Sequence, residues 1–177
     1  MTVLVGYTSE HGSTREIAQH IRRRLDDHGV QAEARSLEAV DDAAAYDSFV
    51  LGSAVHNMAW MPSAVEFVQA NLTLLADRPV WLFSVGSKDS LTGPIGRRMA
   101  ARYPIPKGIA ELQEAVHPRD HRILTGVIAR ADFPWPSRLV LQAIGGHFGD
   151  FRDWPAIDGW ADDIAQRLSQ SPGAISH

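Results

Sequence analysis

Short runs of continuous apolar residues alternate along this chain with longer stretches in which apolar residues recur every third or fourth position. The first pattern suits a strand buried on both faces, the second an amphipathic helix. Met1–Tyr7 predicts an opening strand. Gly12–His28 predicts a helix, with Ile17, Ile21 and Leu25 as its inward stripe and Gly29 as its stop. Val30–Leu37 alternates polar and small apolar residues, as an outer strand should. Asp47–Ser53, carrying Phe49-Val50-Leu51-Gly52, reads as a third strand, followed by a helix over Ser63–Leu75 with Val65, Val68 and Leu72 inward. Arg78–Ser84, with Val80-Trp81-Leu82-Phe83, is a fourth strand. Pro94–Arg102 and Lys107–Ala115 each fit a short helix, and Arg122–Ala129 a fifth strand. A segment rich in proline and aromatic residues then leads to a helix at Pro136–Ile144, a loop at Gly145–Pro155, a last helix at Ala156–Leu168 and a frayed tail, Ser169–His177.

Strands alternating with helices imply parallel pairing through right-handed crossovers. Five strands predict a doubly wound α/β sheet in the order 2-1-3-4-5 with helices on both faces, and a ligand beyond the carboxyl ends of the strands, between the first and third. The 177 residues, 45% of them hydrophobic, suffice for one such domain spanning 1–177.

Composition narrows the chemistry. There is no cysteine, which excludes disulfides, thiolate nucleophiles and cysteine-ligated metals or clusters. A net charge of -4 argues against nucleic-acid binding, and Arg22-Arg23-Arg24 beside Asp26 and Asp27 reads as a solvated helix face. His117 and His121 are separated by Pro118 and have no third ligand nearby, so no metal site is expected. The opening residues read as a strand and not as a signal peptide, and no apolar run approaches the ~20 residues that span a bilayer. A cytoplasmic location is expected.

The informative stretch is Thr8-Ser9-Glu10-His11-Gly12-Ser13-Thr14, between the first strand and the first helix. A helix start offers unpaired backbone N–H groups and partial positive charge, which suit an anion. Gly12 lets the backbone turn closely, and Thr8, Ser9, Ser13 and Thr14 add hydroxyl donors. A dinucleotide loop is excluded because G-x-G-x-x-G is absent, and a Walker loop because five residues separate Gly6 from Gly12 and Ser13 stands where lysine would be. A phospho-accepting aspartate after the third strand is missing too, where Gly52-Ser53-Ala54 stands. The competing reading is a capping box, with Ser13 as N-cap and Glu16 reaching back. A phosphate site explains the crowd of small polar residues better. Glu10, a carboxylate beside a phosphate, is then expected to point outward.

These residues resemble the phosphate loop of the flavodoxin superfamily, T/S-x-T-G-x-T after a hydrophobic strand. More narrowly, Thr14-Arg15-Glu16-Ile17-Ala18, Gly52-Ser53-Ala54-Val55-His56, Glu66-Phe67-Val68 and Gly145-Gly146-His147-Phe148-Gly149-Asp150 are similar to the bacterial, flavodoxin-like, menaquinone-dependent protoporphyrinogen IX dehydrogenase family. That resemblance covers nearly the whole chain. It implies a flavodoxin-like fold and an FMN-dependent oxidoreductase of haem biosynthesis, with a porphyrinogen donor, a quinone or redox-protein partner, and peripheral contact with a membrane. It places the FMN phosphate on residues 8–14, and the flavin ring between Ala54, Val55, His56, Asn57 and Trp60 on one side and Ser84, Val85, Gly86 and Ser87 on the other. Trp60 would stack on the ring, and His56 is the candidate for stabilising its reduced form.

Two features bear on carrier against enzyme. Residues 53–63 contain no acid and Lys88 stands beside Asp89, so the site is less negative than an electron-carrier flavodoxin requires, which favours two-electron chemistry. The segment from Arg130 through the helix with Leu139, Val140, Leu141 and Ile144 is extra to a minimal flavodoxin. It reads as a core-packed helix, or as a wall for a flat substrate or a membrane-facing surface. Arg97, Arg98 and Arg102 read as a solubilising face, or as a lure for propionates. The alternatives to the enzyme are an electron-transfer flavodoxin and a flavin-free interaction module.

Overall fold

The computed structural model describes residues 1–87, 90, 98, 106, 108–130, 135–143 and 146–170. Their elements, in order, are β1 (Thr2–Thr8), α1 (Ser13–Asp27), β2 (Gln31–Ser36), β3 (Ser48–His56), β4 (Ala59–Trp60), α2 (Pro62–Ala70), α3 (Leu72–Ala76), β5 (Val80–Gly86), α4 (Ile109–Val116), β6 (Asp120–Thr125), β7 (Val127–Ile128), α5 (Trp135–Ala143), β8 (Gly149–Asp150) and α6 (Trp154–Gln170). The main sheet runs β2-β1-β3-β5-β6, which is the expected 2-1-3-4-5 order of the long strands. All four pairings along it are parallel.

The apolar strands bury side chains alternately on two faces, as a period of two requires. Val3, Val5, Val50, Trp81, Phe83 and Val85 meet α1 and α6, which contribute Ile17, Ile21, Leu25, Ile157, Trp160 and Ile164. Leu4, Phe49, Leu51, Val80 and Leu82 meet α2, α3 and α4 through Ala64, Phe67, Val68, Leu75, Ile109 and Leu112. On the outer edge of the first layer, Arg24 and His28 of α1 bond Asp162 of α6, and His20 bonds Asp158. This doubly wound arrangement leaves the carboxyl ends of β1, β3, β5 and β6 along one rim.

Three boundaries and the burial of one helix differ from the sequence-based expectation. The strand expected over Arg122–Ala129 ends at Thr125; the chain turns at Gly126, and Val127–Ile128 pairs antiparallel with Gly149–Asp150 as a separate ribbon. The third strand runs on to His56 and folds back as β4 through a two-residue turn, Asn57-Met58, with both residues at positive φ. The helix expected over Ser63–Leu75 breaks at Asn71, whose side-chain amide donates to the Phe67 carbonyl. In α5, Trp135, Leu139 and Val140 are exposed instead of packed on the core. Apart from Arg98, the helix expected over Pro94–Arg102 lies outside the described residues, as do Lys88, Asp89, Arg97, Arg102 and Ile144. No helix among the described residues is long and apolar enough to cross a membrane.

Gly52, at the centre of the sheet, sits beneath Phe83 of the neighbouring strand, and an added Cβ would lie 2.0 Å from the ring. The ring is fully buried and has nowhere to go. Gly52→Ala should therefore destabilise the fold by about 1–3 kcal/mol, the usual penalty of overpacking, read as a lower urea midpoint with an unchanged slope.

Candidate functional site

Along the rim, the loops that follow β1, β3, β5 and β6 enclose an open cleft of about 350 Å³. That is within the range of small-molecule and cofactor sites. Its walls are Ser9, Glu10, His11, Ser13 and Thr14 from the first loop and helix, Ala54 to Met58 from the end of β3 and the turn after it, Val85, Gly86 and Ser87 at the end of β5, and Gly126, Val127 and Ile128 after β6.

The loop between β1 and α1 forms one corner of the cleft. Gly12, not Ser13, is the N-cap of α1; its φ of 91° is left-handed backbone that glycine adopts without cost. No side chain caps the helix. Ser13 instead lies in the first turn, where its Oγ accepts from Val127 N–H at 3.0 Å, and Glu16 pairs with Arg152. The capping box is thus absent, and Ser13 and Thr14 at the helix start line the cleft. Ser9 Oγ accepts from Gly12 N–H at 3.0 Å, which closes the loop on itself. Both serine hydroxyls keep a proton to donate. Thr8, only 2% exposed, has a hydroxyl with no partner. A buried hydroxyl without a hydrogen bond costs about 1–3 kcal/mol, but Thr8 is not among the residues that line the cleft. Glu10 does not simply face solvent: its Oε2 lies 3.1 Å from His56 Nδ1 and 3.9 Å from His11 Nε2.

On the ring-binding side the structure divides the expected residues. Ala54, Val55, His56 and Asn57 line the cleft, as do Val85, Gly86 and Ser87. Trp60 does not. The β3–β4 hairpin sets it opposite Val55 and turns its indole into the core, 3% exposed, where Nε1 donates to Ser84 Oγ at 2.7 Å. Stacking on a ring in the cleft is closed to it. Ser84 is fully buried and bonds both Trp60 and His121 Nε2, the latter at 2.9 Å. It supports the cleft from behind. His121 also bonds Gln113 Nε2, and burial pushes its imidazole below the usual histidine range against the opposing pull of Asp120. His117, at the C-cap of α4, takes no part in that chain.

Sequence reasoning missed the wall Gly126–Ile128. Its signal was Gly126 itself, an isolated glycine inside an apolar run, which marks a bulge or a close backbone approach. An added Cβ there would lie 2.7 Å from Ser13 Oγ and 2.8 Å from Val85 Cγ1. The ribbon is pinned to α1 by the Ser13–Val127 bond and by Arg152, which bonds Asp150 of β8 and Glu16 of α1 and stacks 4.7 Å from the Trp154 ring centroid.

The Flavodoxin domain family profile matches residues 4–150. Over 186 aligned residues the chain is 23% identical to the protoporphyrinogen IX dehydrogenase (quinone) of Escherichia coli strain K12, with 97% of this chain and 98% of that protein covered. Among solved structures, a flavodoxin from the domain Archaea superposes with a TM-score of 0.61 at 18% identity, over 96% of this chain and 99% of that one. The rubredoxin oxygen:oxidoreductase of Desulfovibrio gigas gives a TM-score of 0.61 at 15% identity over 95% of this chain, which spans only 36% of that longer protein. The two structural likenesses establish the fold.

Gly126→Ala should push Ser13 and Val85 apart at the cleft wall. Amide hydrogen exchange is the check: the Val127 amide, bonded to Ser13 Oγ, should lose protection while far-ultraviolet circular dichroism stays native.

Proposed function

The chain belongs to the flavodoxin domain family, and from that premise we propose that it is an FMN-dependent oxidoreductase that dehydrogenates a porphyrinogen and passes the electrons to a quinone. The observation that carries the cofactor is a helix start that no side chain caps, with Ser9, Ser13 and Thr14 lining the cleft around it. Thr8, Ser9, Ser13 and Thr14 hydroxyls and the first amides of α1 would hold the phosphate, with Gly12 giving the close turn. The ring would lie between Ala54–Asn57 and Val85–Ser87, with Gly126–Ile128 as its third wall. FMN supplies two-electron acceptance; the protein supplies position and electrostatics.

The full-length similarity to a protein named for that reaction supports the donor and the quinone. Independent support for two-electron work comes from residues 53–63, which carry no acid to oppose a negatively charged reduced ring. A lipid-soluble acceptor would be met at α5, where Trp135, Leu139 and Val140 stand 71%, 58% and 63% exposed. Such side chains on one helix suit the interfacial layer of a bilayer.

Titrating the apoprotein with FMN should quench flavin fluorescence to saturation, and Thr8→Val should weaken the affinity on the order of tenfold, the worth of one hydrogen bond to a charged group. Anaerobic protoporphyrinogen IX should then bleach the bound flavin without a lasting one-electron-reduced form. A lasting blue form would make the protein an electron carrier, and fluorescence untouched by the protein would end the flavin reading. For the membrane surface, FMN-loaded protein should sediment with phosphatidylglycerol vesicles and Trp135→Ser/Leu139→Ser should not; equal sedimentation of the two removes α5 from that role.

A further inference from the structure

One pairing in the cleft has no part in holding a phosphate. Glu10, on the loop after β1, and His56, at the end of β3, both line the cleft and approach to 3.1 Å across it. The two loops flank the switch point of the sheet, so the pair lies between the phosphate corner and the ring-binding gap. A carboxylate in a phosphate loop is electrostatically unfavourable by itself, and α1 does not use Glu10 as a cap. Its position is accounted for if it serves the imidazole. A carboxylate against Nδ1 keeps the proton on that nitrogen and leaves Nε2 as the basic atom. His56 is 62% exposed, so a proton taken up there can pass to water.

Resting on the FMN reading above, we propose that His56, oriented by Glu10, is the catalytic base of the dehydrogenation. The donor's C–H leaves as hydride to the flavin, while the N–H or O–H conjugated with or bonded to that carbon gives its proton to His56 Nε2. The donor thereby loses two electrons and two hydrogen nuclei and gains a C=N or C=O bond. The imidazolium then releases its proton to solvent. Glu10 is the positioning residue. The substrate class narrows accordingly, to donors with an ionisable hydrogen on a heteroatom electronically linked to the carbon being oxidised. One-electron protein partners need no such base.

Glu10 and His11 are the titratable groups that line the cleft beside His56. His11 stands on the far side of the same carboxylate oxygen, at 3.9 Å. Lys88 and Asp89, on the loop after β5, lie outside the described residues.

The test compares wild type, His56→Gln and Glu10→Gln, each loaded with saturating FMN. Reduction by protoporphyrinogen IX is followed anaerobically across pH, and the midpoint potential of the bound flavin is measured over the same range. The wild-type rate should rise with pH to a plateau. His56→Gln should be on the order of 10²-fold slower, the usual worth of a general base, with a flat profile. Glu10→Gln should keep the rise but lower the plateau, because the imidazole loses the partner that fixes its tautomer and orientation. The potential should show a break in its pH dependence that His56→Gln abolishes. A merely structural histidine would move neither the profile nor the break. If all three proteins bind FMN and share one rate profile and one break, His56 is not the base and the FMN reading stands. If wild type binds no FMN, or bound FMN is not reduced by the porphyrinogen, the base falls with the activity it would serve.

Discussion

Parallel pairing on both sides of β1 constrains everything else in this molecule. A strand hydrogen-bonded in parallel to β2 on one edge and β3 on the other can be reached only by crossovers that leave in opposite directions. The α1 crossover covers one face of the sheet, and the chain from β3 onward covers the other through α2, α3 and α4 before α6 returns to the first. The carboxyl ends then share one rim, with a gap between β1 and β3 that no crossover fills. Thr8, His56, Gly86 and Thr125 end their strands there. The cleft is a consequence of winding direction, and side chains only decide what it can hold.

Where a local pattern decides the structure, the sequence showed it. Continuous apolar runs marked β1, β3 and β5, and the spacing of Ile17, Ile21 and Leu25 marked the buried stripe of α1. The place of the cleft, beside the loop between β1 and α1, was legible from the alternation of strands and helices, which sets the switch point there. What escaped depends on partners distant in sequence. Trp60 looked available for stacking because nothing nearby in the chain shows that Ser84, 24 residues on, would take its indole N–H. Gly126 lay in a run that reads as one strand, and the break there depends on β8 pairing with Val127–Ile128. Ser13 looked like a cap because its engagement by Val127, 114 residues away, is invisible locally.

The loops around the cleft are held by buried polar bonds in place of apolar cover. Ser53 Oγ accepts from Met61 N–H and donates to the Ala54 carbonyl, which fixes the return of the β3–β4 hairpin. Trp60, Ser84, His121 and Gln113 form a string that ties this hairpin to β5, β6 and α4. Next to it, Asp120 bonds Arg122 and Trp160; burial would raise its carboxyl, but those bonds prevail and hold it below the usual range. Polar strings of this kind have few alternative arrangements that leave every group paired, so they specify position more sharply than an apolar contact of similar size. That matters most at Asn57-Met58, where consecutive left-handed residues must be kept in a turn that a methionine does not favour.

The third wall is coupled to the phosphate corner through a single hydroxyl. Ser13 Oγ accepts from Val127 N–H and, as a hydroxyl, can still donate to an oxygen anion. A phosphate accepting that hydrogen bond would polarise the O–H bond, leave more negative charge on the Ser13 oxygen and make it a better acceptor for Val127, since chained hydrogen bonds polarise one another. Arg152 adds a second tie, between Glu16 in the first turn of α1 and Asp150 on the ribbon. Its guanidinium is 11% exposed and its charge is secured, first by Asp150 and then by Glu16, against the cost of burial. An anion held at Ser13 would therefore also order Val127 and Ile128. The start of α1 and this wall of the cleft are parts of one assembly, although 114 residues separate Ser13 from Val127.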